Sequence, residues 1–216
     1  MSAGPRLPSR AWRETRAVDD VRSITVLKVG GSVTRSDAAA QLLRALAGRN
    51  LCDLLIVPGG GDFADAVRRA QARQGLSEAA AHHMALLAMQ MLGVALADLA
   101  PGYALADSAA QFESAWRAGK TPIWLPTSMA LAAAAIPTSW DVTSDSLAAW
   151  LAGEVGASRL LLVKSCTLTV DESSASALSD AGIVDACFAR FVEGRGFKWR
   201  VVSGVDAALQ ALSERE

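Results

Sequence analysis

A chain of 216 residues with 51% hydrophobic and 20% charged side chains has the make-up of a folded globular protein, which excludes disordered, collagen-like and coiled-coil classes. Lys and Arg number 21 against 22 Asp and Glu, a net charge of -1, so nothing attracts nucleic acid in bulk and any anion must be held by local geometry. The strongly apolar stretches, residues 84–97 and 129–136, fall short of the roughly 20 residues a bilayer-crossing helix needs, so no membrane partner is expected.

Residues 1–22 mix Pro5, Pro8, Arg6, Arg10, Arg13, Glu14 and Asp19 without an apolar centre, and read as a flexible N-terminal extension rather than a secretory signal. From residue 23 to 216 short Val, Ile and Leu runs alternate with longer Ala-rich helical patterns. The strands are expected at 24–29, 53–57, 122–125, 159–164 and 198–202. The helices are expected at 36–47, 62–74, 77–97, 108–118, 145–155, 185–193 and 205–212. This alternation predicts one α/β domain, a three-layer sandwich around a mostly parallel sheet covered on both faces. Three distant cysteines, Cys52, Cys166 and Cys187, fit neither a disulfide framework nor a clustered metal site, and point to reduced thiols in the cytoplasm.

Ligands of open parallel sheets bind beyond the carboxyl ends of the strands, which directs attention to three junctions. At Lys28-Val29-Gly30-Gly31-Ser32 a lysine ends a strand buried on both faces, where its charge is costly unless an anion meets it. The two glycines remove the Cβ atoms that would keep a phosphate from the backbone N–H groups. At Pro58-Gly59-Gly60-Gly61-Asp62-Phe63-Ala64 a helix N-terminus behind three glycines offers further donors. Gly59, Gly61 and Ala64 also fit a dinucleotide pattern. The acidic residue that pattern needs after the next strand is missing, since Glu78 opens a helix, and no P-loop motif occurs. The third junction, Ser139-Trp140-Asp141-Val142-Thr143-Ser144-Asp145-Ser146, has more polar residues than a helix cap needs. Asp141 is expected in the loop and Asp145 at the helix start.

Together the three junctions resemble the amino acid kinase superfamily, which includes aspartate, acetylglutamate and uridylate kinases. The resemblance runs from Ile24 to Ser203 in the order of elements. In that family the first strand ends in K-x-G-G-S/A, matched by Lys28, Gly30, Gly31 and Ser32; a second glycine-rich turn, matched by Gly59, Gly60 and Gly61, binds the acceptor. An Asp opening a later helix organises the phosphate-binding lysines, a role that falls to Asp145. The wording of the second and third motifs looks most like the archaeal-type branch that phosphorylates aminomethyl-furanmethanol phosphate in methanofuran synthesis. The resemblance implies ATP, with Mg²⁺ carried by the nucleotide, a small-molecule acceptor and a homo-oligomer.

On this resemblance Lys28 and Asp145 are the catalytic pair, and Gly30, Gly31, Ser32, Lys164 and Ser165 hold the nucleotide phosphates. Gly59, Gly60, Gly61, Asp62, Trp140, Asp141 and Thr143 take the acceptor. The chain departs from the family after Leu162-Val163, where Lys164-Ser165-Cys166-Thr167 lacks the usual Gly, and it has no second lysine after a G-G-M turn. Lys164 is left to supply that charge. An acyl-phosphate-forming amino acid kinase and a non-catalytic nucleotide or anion sensor are the alternatives. His82 and His83 point about 100° apart on one helix and cannot share a metal, although His82 can still border the acceptor. Arg68 and Arg69 read as solvated charges. Trp116, Trp124, Trp150 and Trp199 read as core, and Trp140 as a pocket wall.

Overall fold

The computed structural model describes residues 23–31, 33, 37–47, 49, 53–168, 170 and 173–214. The expected N-terminal extension, Ser32 and Cys52 lie outside them. Six strands form one sheet: β1 (Thr25–Val29), β2 (Leu54–Pro58), β3 (Tyr103–Ala106), β4 (Thr121–Trp124), β5 (Arg159–Lys164) and β6 (Lys198–Ser203). Their order is β3-β4-β2-β1-β5-β6 and every pairing is parallel. All five residues of β1 and of β2 are buried, which is why both read as unbroken apolar runs.

Nine helices occur among the described residues: α1 (Ala38–Leu46), α2 (Gly61–Gln74), α3 (Glu78–Asp98), α4 (Ala109–Arg117), α5 (Thr127–Ala132), α6 (Ser144–Glu154), α7 (Ala175–Asp180), α8 (Phe188–Val192) and α9 (Gly204–Ser213). Side-chain alternation along the strands divides the core in two. Val26, Val57 and Leu162 pack with α4, α6 and α8 on one face, whereas Leu27, Val29, Ile56 and Leu161 pack with α1 and α9 on the other. Helix α6 is apolar nearly all round because it is enclosed: residues from Asp145 to Ala152 are all buried. Burying its Leu147 and Leu151 contributes about 1.5–3 kcal/mol each. Trp116, Trp124 and Trp150 are buried and Trp199 is partly so.

Helix α3 is longer than its apolar stretch implied. At 21 residues, with mean hydropathy 1.4 in its best window, it is long and apolar enough to cross a membrane, yet it lies against the protein. Gly93 lets it approach β2 and β4: a Cβ there would sit 3.4–3.5 Å from Leu125, Ile123 and Pro58. Leu92 and Leu96 join one core, and Leu86 and Met89 join the other.

Strand β3 escaped the sequence reading because an edge strand needs no continuous apolar run, and only Ala106 of its four residues is buried. Helices α5 and α7 have six residues each, too short for a periodic signal. The expected helix at 185–193 begins only at Phe188, since Asp185 is engaged elsewhere, and the junction at 139–146 follows α5 and a turn rather than a strand.

The turns after β1 and β2 touch backbone to backbone. A Cβ on Gly31 would lie 2.5 Å from the Gly61 nitrogen, and one on Gly59 would lie 2.6 Å from the Gly31 nitrogen. Gly59→Ala is therefore expected to lower stability by about 1–3 kcal/mol in urea unfolding. Gly196→Ala, where a Cβ meets nothing within 4 Å, should change it by less than about 1 kcal/mol.

Candidate active site

The two glycine turns form adjoining walls of one site. Gly59 N–H donates to the Val29 carbonyl at 2.9 Å, and Gly61, at φ 53°, turns the chain directly into α2. Gly30 and Gly59 are buried, while Gly31, Gly60 and Gly61 are partly open. Neither hollow is on the far side of the molecule from the other.

Register supplies the charges beside them. Lys28 pairs with Leu162, so Lys164 lies two residues further along β5, and alternation puts both lysines on the face covered by α6. The first turn of α6 brings Asp145 between them: its Oδ1 is 2.7 Å from Lys28 Nζ and its Oδ2 is 2.7 Å from Lys164 Nζ. The residues are 3%, 4% and 9% exposed for Lys28, Asp145 and Lys164. Burial pushes the Lys28 ammonium below the ordinary lysine value, opposed by Asp145 and reinforced by Lys164. Burial acts on Asp145 in the other direction, but the two ammonium groups and their hydrogen bonds prevail and hold its carboxyl below the usual range. The two lysines share the one carboxylate in contact with them, and the Asp185 charge acts on Lys28 from further off; an incoming anion would further favour their charged forms.

A carboxylate that sequence reasoning missed holds this turn in place. Thr143 occupies the N-cap position of α6 but its side chain caps nothing. Asp185 does the capping from across the fold. Its Oδ2 accepts from Thr143 N at 2.9 Å, Thr143 Oγ1 at 2.8 Å and Ser146 N at 3.0 Å, and its Oδ1 accepts from Ser146 Oγ. The surplus of hydroxyl residues at 139–146 was the available signal. Its partner lies about 40 residues away in sequence, beyond any local pattern.

A cavity of about 200 Å³ opens from the glycine walls, bounded by Gly31, Gly60, Gly61, Trp140, Thr143 and Ser144. Arg68 and His82 also border it. Arg68 is not simply solvated: its guanidinium lies 3.9 Å from the centre of the Trp140 ring, whose Nε1 donates to Gln71 Oε1 at 2.6 Å. His82 is buried, and desolvation, reinforced by the neighbouring His83, pushes its pKa below the ordinary value. Asp62 and Asp141 are exposed and do not line this cavity; Asp141 Oδ2 accepts from Ser139 Oγ at 3.2 Å. A second cavity lies beyond Lys164, bounded by Ser165, Cys166, Thr167 and the 181–183 corner. Among the described residues no group of three His, Cys, Asp or Glu side chains is arranged to hold a metal ion.

An all-parallel sheet that ends in two abutting glycine turns, with a lysine pair bridged by a buried aspartate, defines an α/β protein whose candidate site lies at the carboxyl edge of its sheet. The chain belongs to the amino acid kinase family, whose model matches residues 23–166. Over 130 residues it is 33% identical to the [5-(aminomethyl)furan-3-yl]methyl phosphate kinase of Methanocaldococcus jannaschii, a match spanning 58% of each chain. In fold it is similar to the uridylate kinase of Archaeoglobus fulgidus, with a TM-score of 0.66 and 16% identity, covering 89% of this chain and 96% of that one. It is also similar to the UMP kinase of Ureaplasma parvum, with a TM-score of 0.64 and 16% identity, covering 88% and 95%.

Asp145→Asn leaves two ammonium groups buried together and is expected to cost about 3–5 kcal/mol of stability in urea unfolding. The wild-type pH dependence has a definite sign. Because the folded state lowers the Asp145 pKa, its contribution is complete above the ordinary carboxylate range and is lost as pH falls through that range toward the lower folded value. Denaturation midpoints measured from pH 7 to pH 2 should fall with pH, and less steeply in Asp145→Asn.

Proposed function

We propose that the chain is an ATP-dependent kinase that transfers the γ-phosphoryl group to a phosphomonoester, an aminomethyl-furanmethanol phosphate of methanofuran-type one-carbon cofactor synthesis. The observation that carries this reading is the buried Lys28–Asp145–Lys164 arrangement, two lysines on one carboxylate, beside two glycine hollows in contact. The printed name of the archaeal relative supports the choice of acceptor.

In this reading an acceptor phosphate oxygen attacks the γ-phosphorus, the bond to the β,γ-bridging oxygen breaks, and ADP leaves. The acceptor is already ionised at pH 7 and needs no general base, so alignment and charge neutralisation do the work. Lys28 and Lys164 face the transferring group, with Asp145 fixing the distance between them. Gly30, Gly31, Ser32 and Ser165 supply donors to the nucleotide phosphates. Gly59, Gly60 and Gly61 receive the acceptor phosphate, Trp140 and Thr143 its remainder, with Asp62 and Asp141 at the mouth. Each Asp145 oxygen is taken by a lysine, so the residue suits holding cations of the protein rather than a metal. Mg²⁺ would enter with ATP and would supply neutralisation of the phosphate charge.

Lys28→Ala is expected to keep its fold and lose at least about a hundredfold in turnover, measured as ADP release with the furan phosphate as acceptor. Unchanged turnover removes Lys28 from the mechanism. A panel of carboxylates in the same assay exposes an acyl-phosphate-forming kinase, and tight ATP binding with no ADP release on any acceptor exposes a sensor.

We also propose a cytoplasmic homo-oligomer assembled through α3. Met84, Leu87, Met91 and Val94 repeat at intervals of three and four and are all exposed, Met91 and Val94 by 52% and 53%. No Asp, Glu, Lys or Arg falls between Glu78 and Asp98. Such a stripe is complementary to a second copy of itself across a two-fold axis. Replacing Leu87 and Met91 by Glu should reduce the sedimentation coefficient to that of a monomer; an unchanged value rules this face out.

A further inference from the structure

The corner between α7 and α8 touches both halves of the site. On one side, residues 181–183 bound the cavity beyond Lys164. On the other, the same corner is tied to the acceptor side at two points. Cys187 N–H donates to the Asp141 carbonyl at 3.0 Å, next to Trp140, and the Asp185 carboxylate accepts all four hydrogen bonds from Thr143 and Ser146. The corner has its own bracing: Ile183 N–H donates to the Leu178 carbonyl at 2.9 Å, Ser179 Oγ to the Asp185 carbonyl at 3.2 Å, and Phe188 N–H to the same carbonyl at 3.1 Å. Only Val184 separates Ile183, in the wall of that cavity, from Asp185.

The four bonds matter for where Asp145 sits. Thr143 and Ser146 flank it on either side, and the N-cap side chain makes no capping bond to the helix but donates to Asp185, so Asp185 is the side chain that caps this turn. A carboxylate at a helix N-terminus also meets the positive end of the peptide dipoles. Displacing Asp185 would free the turn that holds Asp145 between Lys28 and Lys164, and would loosen Thr143 and Ser144 on the acceptor wall.

We infer that Asp185 is a positioning residue that couples occupancy of the cavity beyond Lys164 to the order of the first turn of α6. Nucleotide bound against residues 181–183 braces the corner, the corner braces Asp185, and Asp185 sets the turn carrying Asp145. The inference rests on the kinase reading insofar as it takes a nucleotide to fill that cavity. An acceptor arriving after the nucleotide would then meet a wall ordered in advance, so the two substrates bind with positive coupling.

The test uses the full chain with ATP and Mg²⁺ and no acceptor, reading hydrogen–deuterium exchange of peptides covering residues 143–148 alongside calorimetric ATP affinity. In the wild type, saturating ATP should slow exchange there roughly tenfold, an ordinary size for coupling between sites. Asp185→Asn preserves the shape of the side chain but replaces one acceptor oxygen with a donor. It should bind ATP within a few-fold of the wild-type affinity and show no ATP-induced slowing. Ser146→Ala removes a single hydroxyl donor and serves if Asp185→Asn does not fold; it should lose most of the slowing. A merely structural role for Asp185 would alter the resting exchange rate and leave the ATP response in place, which overturns the inference. So does a wild-type protein that binds ATP without slowing at 143–148. A wild-type protein that fails to bind ATP at all overturns the kinase reading, and this inference falls with it.

Discussion

The structure turns on a charge that cannot be left alone. Lys28 and Lys164 are carried into the protein by two central strands, and one carboxylate serves both. A lone buried ammonium would shed its proton or disrupt the fold; Asp145 opposes this for both lysines. Lys164 is the last residue of β5 and Lys28 the last but one of β1, so these charges sit at the carboxyl edge of the sheet, where the glycine turn after β1 begins.

Much of the rest of the fold can be understood as support for that arrangement. Strands β1 and β5 pair in a register that separates the two lysines by one diagonal step, and α6 is enclosed from Asp145 to Ala152 so that its first turn cannot move away. The glycine turns pack so tightly that neither has room for a Cβ. Asp185 then closes the exposed end of α6 from a different part of the chain. An acidic residue near a site for anions looks counterproductive by charge alone. Its field favours the protonated state of Lys28, and its hydrogen bonds are to the helix end rather than toward the phosphate space.

The cavity beside the second glycine turn has a different chemistry. An indole face backed by a guanidinium, a buried imidazole and the apolar Leu86 and Met89 surround its small volume. Such a lining suits a flat ring. The contact of Arg68 with Trp140 also shows how a residue that seems merely solvated on its helix becomes part of a wall once a distant loop folds over it.

Local sequence determined the parts of this protein that depend on near neighbours. Apolar runs marked β1, β2, β4 and β5, the shorter Val201-Val202 pair marked β6, glycine clusters marked the turns, and the strand-end Lys28 and helix-opening Asp145 identified the charged centre. What only tertiary structure decided were the facts set by long-range pairing. The edge position of β3 hid it because an edge strand requires little burial. Lys164 became the partner of Lys28 through strand register, Arg68 reached Trp140 through packing of α2 beneath a loop, and Asp185 became the cap of α6 because the chain returns there after about 40 residues. A residue's neighbours along the chain constrain its backbone, but the charges and donors it meets are chosen by strand order and helix packing, which no local pattern encodes.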